Sequence, residues 1–367
     1  MAKTSWQIQH PLMFGNTHVL RHLIKQYGVE RGLRQKATTM LIGSIATAPL
    51  RAYERATYAT REQQPITQPP VFILGHWRGG TTQLHYLMAQ DPQFGYITTF
   101  QMFMPDMMFI GDTWIKPLLQ RFTPATRPID NLPMGMNLAQ EEEYALAARS
   151  PHSFYHQWVF PRAFRTLRTN YMLLEGDEAS NQAWQRDYRL LMQKIASYWQ
   201  GKPLLIKNPT NTARIKALLA MFPNAKFINI VRDPYRIFLS TRHLYRVSNT
   251  VASLHAINDE FMQHMILENY QVMMQQYLAQ RSLIPASRFV EVRFEDLERD
   301  PWAVIRTIYE ALDLHGLDHA HPAMQRYLDS LGTYRKNALT MDAGLARTVE
   351  QAWGFAFDAW NYSRINN

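Results

Sequence analysis

At 367 residues the chain can bury a large core, and its composition, 46% hydrophobic and 19% charged, excludes a disordered or fibrous polypeptide. It contains no cysteine, which removes disulfides, thiolate metal sites and a thiol nucleophile and leaves the redox compartment open. The formal charge of +9 favours anionic partners, and the excess reads as spread along the chain, which suits a small polyanion at least as well as nucleic acid or an acidic lipid surface.

Residues 1–65 are expected to form a helical extension. Within them "HVLRHLIKQYGVERGLRQ" (18–35) is a basic amphipathic helix candidate. It reads either as a helix packed on the main domain or as one resting on a membrane surface beside a lipidic substrate. The apolar run "MLIGSIATAPL" (40–50) is shorter than the roughly 20 residues a bilayer span needs. No secretory signal stands out, so the expected location is cytoplasmic, with peripheral contact at the inner membrane face if these helices touch lipid. "REQQPITQPP" (61–70) reads as a linker, and residues 66–367 as a single domain.

That domain opens with "VFIL" (Val71–Leu74), a short apolar run of the fully buried strand type, followed by "GHWRGGTT" (75–82). Gly75, Gly80 and Thr82 have the spacing of a phosphate-binding loop, G-x-x-x-x-G-K-S/T. The lysine position is Thr81, however, and Arg78 stands inside the loop. A helix follows, with Leu84, Leu87 and Met88 on one face. Residues 92–180 are rich in aromatics, methionine and proline without a clear period, and read as an insert of short helices and loops walling a substrate. Tyr188, Leu191, Ile195 and Tyr198 stripe a helix over 184–199. A second strand (204–206) ends in "KNPTNT", where Thr210 or Asn211 is expected to cap the next helix. A third strand, "KFINIV", ends in "RDP" and is followed by the helix "YRIFLSTRHLY". A long helix is expected over 253–281 and a fourth strand over 289–294; Asp300 then caps a helix running to Leu312. Strands alternating with crossover-length helices predict an α/β fold with a parallel sheet resembling that of phosphate-loop proteins.

In such a sheet ligands gather at the carboxyl ends of the strands. The first loop points its amides and a helix dipole at an anion. Gly79 and Gly80 admit close approach, Arg78 adds a forked cation, and Thr81 and Thr82 add hydroxyls. Without the lysine, and with no strand-ending aspartate placed to help hold magnesium, the loop suits a 5′-phosphate group better than a metal-bridged triphosphate. Arg232 leaves the third strand and Ser240 follows eight residues later, inside a helix, so the pair can clamp a second phosphate from two directions. The competing reading pairs Arg232 with Asp233 as a cap. No H-E-x-x-H pattern occurs, and no metal is expected.

"FILGHWRGGTTQLHYL" resembles the 5′-phosphosulfate loop, and "FINIVRDPYRIFLSTRHLY" the 3′-phosphate segment, of sulfotransferases that use 3′-phosphoadenosine 5′-phosphosulfate. The likeness covers roughly residues 70–312, "RFEDLERDP" included, and favours the bacterial branch related to carbohydrate and protein-tyrosine sulfotransferases. It implies that Arg78, Gly79, Gly80, Thr81 and Thr82 hold the 5′-phosphosulfate and that Arg232 and Ser240 hold the 3′-phosphate. It also implies that Lys207 stabilises charge on the bridging oxygen, and that Tyr334, Arg335 and Lys336 belong to a basic loop closing over the cofactor. The product would be 3′,5′-adenosine bisphosphate.

The chain departs from the tyrosine-directed pattern where those enzymes carry a glutamate after the loop helix. Here "DPQFGYITTFQ" (91–101) has threonines. An alcohol acceptor needs a general base. Related bacterial sequences carry an acidic cluster at "AQEEEYAL" (139–146), which makes Glu141 and Glu143 the first candidates and Glu142 the third. Burial would raise such a carboxylate toward neutral pH, although a solvated acidic helix start reads equally simply. His76, His85, His152, His156 and His243 are the alternative bases. The aromatic insert favours a hydrophobic or lipid-like hydroxyl acceptor over a bare sugar. Two rival functions remain at this point: a phosphotransferase of kinase-like fold, and a basic membrane-surface or nucleic-acid binder.

Overall fold

Three of the four short strands are buried on both faces, as parallel sheets require, while the last, an edge strand, alternates buried and half-buried residues. The four are β1 (Val71–Leu74), β2 (Leu205–Lys207), β3 (Lys226–Val231) and β4 (Phe289–Arg293). A computed structural model of the chain describes residues 10–121, 123, 135–331 and 341–365. The strand order is β2-β1-β3-β4, and every pair is parallel. Successive side chains alternate between two cores. Phe72, Leu74, Ile206, Phe227 and Val231 face one, while Val71, Ile73, Leu205, Ile228 and Ile230 face the other.

Helices α1 (Thr17–Tyr27), α2 (Arg34–Ala46) and α3 (Ala48–Tyr58) precede the sheet. Between β1 and β2 lie α4 (Thr81–Met88), α5 (Thr99–Phe103), α6 (Gly111–Gln120), α7 (Glu142–Arg149), α8 (Phe164–Leu167) and α9 (Glu178–Tyr198). Helix α10 (Ile215–Met221) joins β2 to β3, and α11 (Pro234–Ala252) and α12 (Asp259–Gln280) join β3 to β4. The remainder is α13 (Phe294–Arg299), α14 (Pro301–Ala311), α15 (Leu317–Ser330) and α16 (Ala343–Trp360).

Two local expectations are corrected. Neither Thr210 nor Asn211 caps α10. Instead the Asn208 side chain accepts the Thr210 amide at 2.9 Å and starts a 3₁₀ turn, Pro209–Ala213, ahead of that helix. The helix expected from 253 begins only at Asp259, because Asn258 accepts the Phe261 amide at 2.8 Å and two acidic residues fill the first turn.

The N-terminal helices dock through Leu12, Leu20, Leu23 and Met40 onto Val159, Phe160 and Leu254. No helix among the described residues is long and apolar enough to cross a membrane. The chain leaves β1 for β2 on one side and then crosses to β3 on the other. The crevice for a ligand therefore opens at the carboxyl end of β1, where the order reverses.

Candidate active site

The loop after β1 is built around two positions that tolerate no side chain. Gly75 has φ 131°, and a Cβ there would lie 2.5 Å from the Ile230 carbonyl oxygen. Gly80 has φ 96°, and its Cβ would lie 2.0 Å from the Phe294 ring. Thr212, on the turn after β2, fixes the start of the loop by accepting the Gly75 amide at 2.8 Å. Gly80 ends the loop as the N-cap of α4 without offering a side-chain acceptor, so the first amides of that helix face the crevice unsatisfied by a cap.

Arg78 adopts φ 68°, a left-handed conformation that costs a non-glycine residue about 1–3 kcal/mol. The loops around it hold it there. Its Nε donates to Ser240 Oγ at 2.8 Å, and its carbonyl accepts from Arg232 Nη1 at 2.9 Å. Arg232 in turn lies over the Phe294 ring, 4.2 Å from the centroid. Burial lowers the pKa of Arg232, partly countered by Glu298 and Glu295. Arg78, Ser240 and Arg232, expected from separate stretches, thus meet at one place. Asp233 takes no part in pairing Arg232; its carboxylate caps α11 by accepting the Arg236 amide at 3.0 Å.

On the other side of the loop, Lys207 is 2% exposed at the end of β2. Its Nζ donates to Thr82 Oγ1 at 3.3 Å and forms an ion pair with Glu141. Glu141 is the residue just before α7, and its second oxygen accepts a hydrogen bond from Tyr155 Oη. Tyr155 Oη also accepts from Trp77 Nε1, itself in the loop, at 2.9 Å. A continuous path therefore runs from Trp77 through Tyr155, Glu141 and Lys207 to Thr82.

The three consecutive glutamates have three different surroundings. Glu143 forms a buried pair with Arg214, with contacts of 2.7 and 3.1 Å, and also accepts from Ser153, Phe154 and Asn208. Burial pushes its pKa up, but Arg214 and these hydrogen bonds outweigh that and hold it below the ordinary carboxylate range. Both of its oxygens are taken up by these partners, which does not favour the expected role as a base. One oxygen of Glu142 accepts from Tyr188, Asn208 and Asn211 at 2.8, 2.9 and 3.0 Å, and burial raises its pKa to about 7. Only Glu141 reaches the loop.

The histidines are mostly structural. His76 is buried, contacts the Trp77 carbonyl oxygen at 2.8 Å, and is driven by burial to a pKa of about 3. His85 is likewise lowered to about 3 by burial and by nearby Lys207, and His156 to about 4 by burial. His152 faces Asp187 at 2.8 Å, and His243 is half-buried on α11. Tyr334, Arg335 and Lys336 lie outside the described residues.

Sequence reasoning passed over Trp77, Tyr155, Thr212, Arg214 and Phe294. The run "KNPTNT" carried part of the signal, since four of its side chains (Lys207, Asn208, Asn211 and Thr212) bind the loop or the acidic cluster. Nothing local marked Tyr155.

A lysine-free phosphate loop tied to a second arginine–serine pair, beside a buried lysine–glutamate pair, is suited to transfer of a charged group from a doubly anionic donor. The chain belongs to the Sulfotransferase family, whose model matches residues 69–318. It is 28% identical over 322 residues to the ω-hydroxy-β-dihydromenaquinone-9 sulfotransferases Stf3 of Mycobacterium bovis and Mycobacterium tuberculosis, covering 88% of this chain and 82% of each relative. Its fold matches sulfotransferase STF9 from Mycobacterium avium, at 20% identity, TM-score 0.67, and coverage of 95% of this chain and 97% of that one. It also matches sulfotransferase STF1 from Mycobacterium tuberculosis, at 19% identity, TM-score 0.65, and coverage of 92% and 90%. The expected family, α/β fold and enzyme class are borne out, and they displace the phosphotransferase and simple binder readings.

Proposed function

We propose that this sulfotransferase moves a sulfuryl group from 3′-phosphoadenosine 5′-phosphosulfate to a hydroxyl of a hydrophobic, lipid-like acceptor, without a metal. The observation that carries the donor assignment is the Arg78–Ser240–Arg232 contact, which joins the loop suited to the 5′ end of such a nucleotide to the pair suited to its 3′-phosphate. The glycines leave room at the loop, and the α4 amides supply donors. In this reading Gly79, Gly80, Thr81 and Thr82 hold the 5′ group with Arg78, while Arg232 and Ser240 hold the 3′-phosphate.

The donor supplies an activated sulfuryl group; the chain positions it and manages charge and protons. Acceptor oxygen, sulfur and bridging oxygen lie in line. As the acceptor O–S bond forms and the S–O bond to the nucleotide breaks, negative charge grows on the bridging oxygen. Lys207 and Arg78 meet that charge. Glu141 takes the acceptor hydroxyl proton, and Lys207 turns from Glu141 toward the leaving oxygen as that carboxylate is neutralised.

The acceptor class draws support from the Stf3 relatives, named for a hydroxylated menaquinone lipid, and from the aromatic surroundings of Tyr155, which contacts Tyr144, Trp77 and Trp158. The reaction belongs on the cytoplasmic side, at a membrane face that the N-terminal helices help to approach. Calorimetric titration with 3′,5′-adenosine bisphosphate, with and without magnesium, tests the donor. Binding independent of magnesium supports the reading, whereas turnover of ATP that requires magnesium opposes it. Sulfated product from an ω-hydroxylated isoprenoid quinone, and none from a free sugar, tests the acceptor.

A further inference from the structure

We infer that the outer face of α2, α3 and α6 is the surface on which this protein docks to an anionic lipid bilayer. The inference deepens the lipid-acceptor reading by naming the surface, and it rests on that reading only for its purpose. Residues 1–61 carry nine Lys and Arg against two acidic residues, Glu30 and Glu54. They therefore hold seven of the nine excess positive charges, which corrects the expectation of an evenly spread excess. Neither glutamate offsets this charge at the surface. Glu54 is 1% exposed and turned inward onto Lys194 and the amides of Met108, Phe109 and Ile110, and Glu30 pairs with Arg162. Arg31, Arg34, Arg55 and Arg61 remain exposed.

Among these cations stand Ile42, Ile45, Leu50 and Tyr53, exposed by 62, 49, 42 and 62%. Helix α6 adds Trp114 at 79% and Leu118 at 53%, one turn apart on one face. These are six of the nine large hydrophobic side chains that the described residues leave exposed, so they form a concentration and not a scatter. Helix α2 buries Ala37 and Met40 inward and still turns Ile42 and Ile45 outward, and a helix apolar on two sides belongs where both are covered. Glu54, by holding the 108–110 amides, ties α3 to the start of α6, and Tyr58 stacks on Phe109 at 4.9 Å. The two parts of the face are thus held together.

Charge selects the occupant. A second copy of this chain would bring the same cationic face against itself. A bilayer with anionic headgroups complements the arginines, accepts the isoleucines into its acyl boundary, and seats Trp114 and Tyr53 at headgroup depth. The helices lie on this surface and do not cross it.

Cosedimentation of the full chain with phosphatidylglycerol–phosphatidylcholine vesicles, and with pure phosphatidylcholine vesicles, tests the inference. The expected result is binding to the anionic vesicles alone, weakened by salt. A triple Ile42→Ser, Ile45→Ser, Tyr53→Ser variant should lose about tenfold or more in vesicle affinity. An Arg34→Gln, Arg55→Gln variant should lose the preference for phosphatidylglycerol. Both should bind 3′,5′-adenosine bisphosphate as the wild type does, which shows them folded. Because nucleotide binding is read separately, failure of the sulfotransferase reading cannot be confused with failure of the docking surface. The inference is overturned if the wild type ignores both vesicles, or if both variants bind like the wild type. It is equally overturned if the triple variant instead turns a dimer into a monomer in sedimentation velocity, which would make this a self-association face.

Discussion

Arg78 Nε lies 2.8 Å from Ser240 Oγ, although 162 residues separate them in the chain. The contact ties the loop after β1 to the second turn of α11, and Arg232 bonds the Arg78 carbonyl from the same side. Charge-assisted hydrogen bonds of this kind contribute about 1.5–3 kcal/mol each. Arg78→Ala and Arg232→Ala should each weaken binding of 3′,5′-adenosine bisphosphate by roughly 10- to 100-fold. Arg78→Lys should restore little, because an ammonium lacks the forked geometry. Isothermal calorimetry reads all three.

Glu141 and Glu143 are separated by one residue and should fail in opposite ways. Glu141→Gln, whose amide oxygen still accepts from Lys207, should lower kcat by about 10²- to 10⁴-fold with a smaller loss of stability than Glu143→Ala, while nucleotide affinity holds. Glu143→Ala leaves the Arg214 charge buried and unpaired, and should cost about 3–5 kcal/mol of stability. Denaturant titration alongside steady-state kinetics distinguishes them. A catalytic loss without instability at Glu143 would reverse the assignment.

Tyr155 donates to the Glu141 carboxylate and accepts from Trp77, so it holds that carboxylate in place beside Lys207. Tyr155→Phe should therefore lower kcat while KM for the donor and binding of 3′,5′-adenosine bisphosphate hold. The fall in kcat should be about tenfold or less, since the base itself remains. A purely structural role for Tyr155 would instead lower the melting temperature and leave kcat of the folded variant unchanged.

Glu142 gives a pH signature of its own. Burial raises its folded pKa to about 7, above the value of 4.5 ordinary for a glutamate. Between those values the folded state binds the proton more tightly than the unfolded one. Its contribution to stability is thus complete below about pH 4.5 and lost as pH rises through 7. Glu142→Gln, which mimics the neutral acid, should be folded and should not lose that contribution over the interval. Urea midpoints of both proteins across the interval test the sign.

Much of the fold was legible because parallel strands buried on both faces must read as apolar runs, and because Gly75 and Gly80 stand where φ and close contact leave no alternative. Arg232 and Ser240 were legible because an arginine just past the end of β3 and a serine in the second turn of the helix that follows fall at the same end of the sheet. The choice among Glu141, Glu142 and Glu143 was not. Successive helical side chains point about 100° apart, and what each meets is set by Lys207, Asn208 and Arg214, more than 60 residues away. The break between α11 and α12 could have been read from the Asn258 cap and the two acids after it.

The central claim is that Arg78 and the Arg232–Ser240 pair grip two ends of one nucleotide. The most direct test compares 3′,5′-adenosine bisphosphate with 5′-adenosine monophosphate on the wild type and on an Arg232→Ala, Ser240→Ala variant. The wild type should prefer the bisphosphate by about tenfold or more, and the variant should bind both ligands alike. A preference that survives the double substitution, or one that is absent from the wild type, would contradict it.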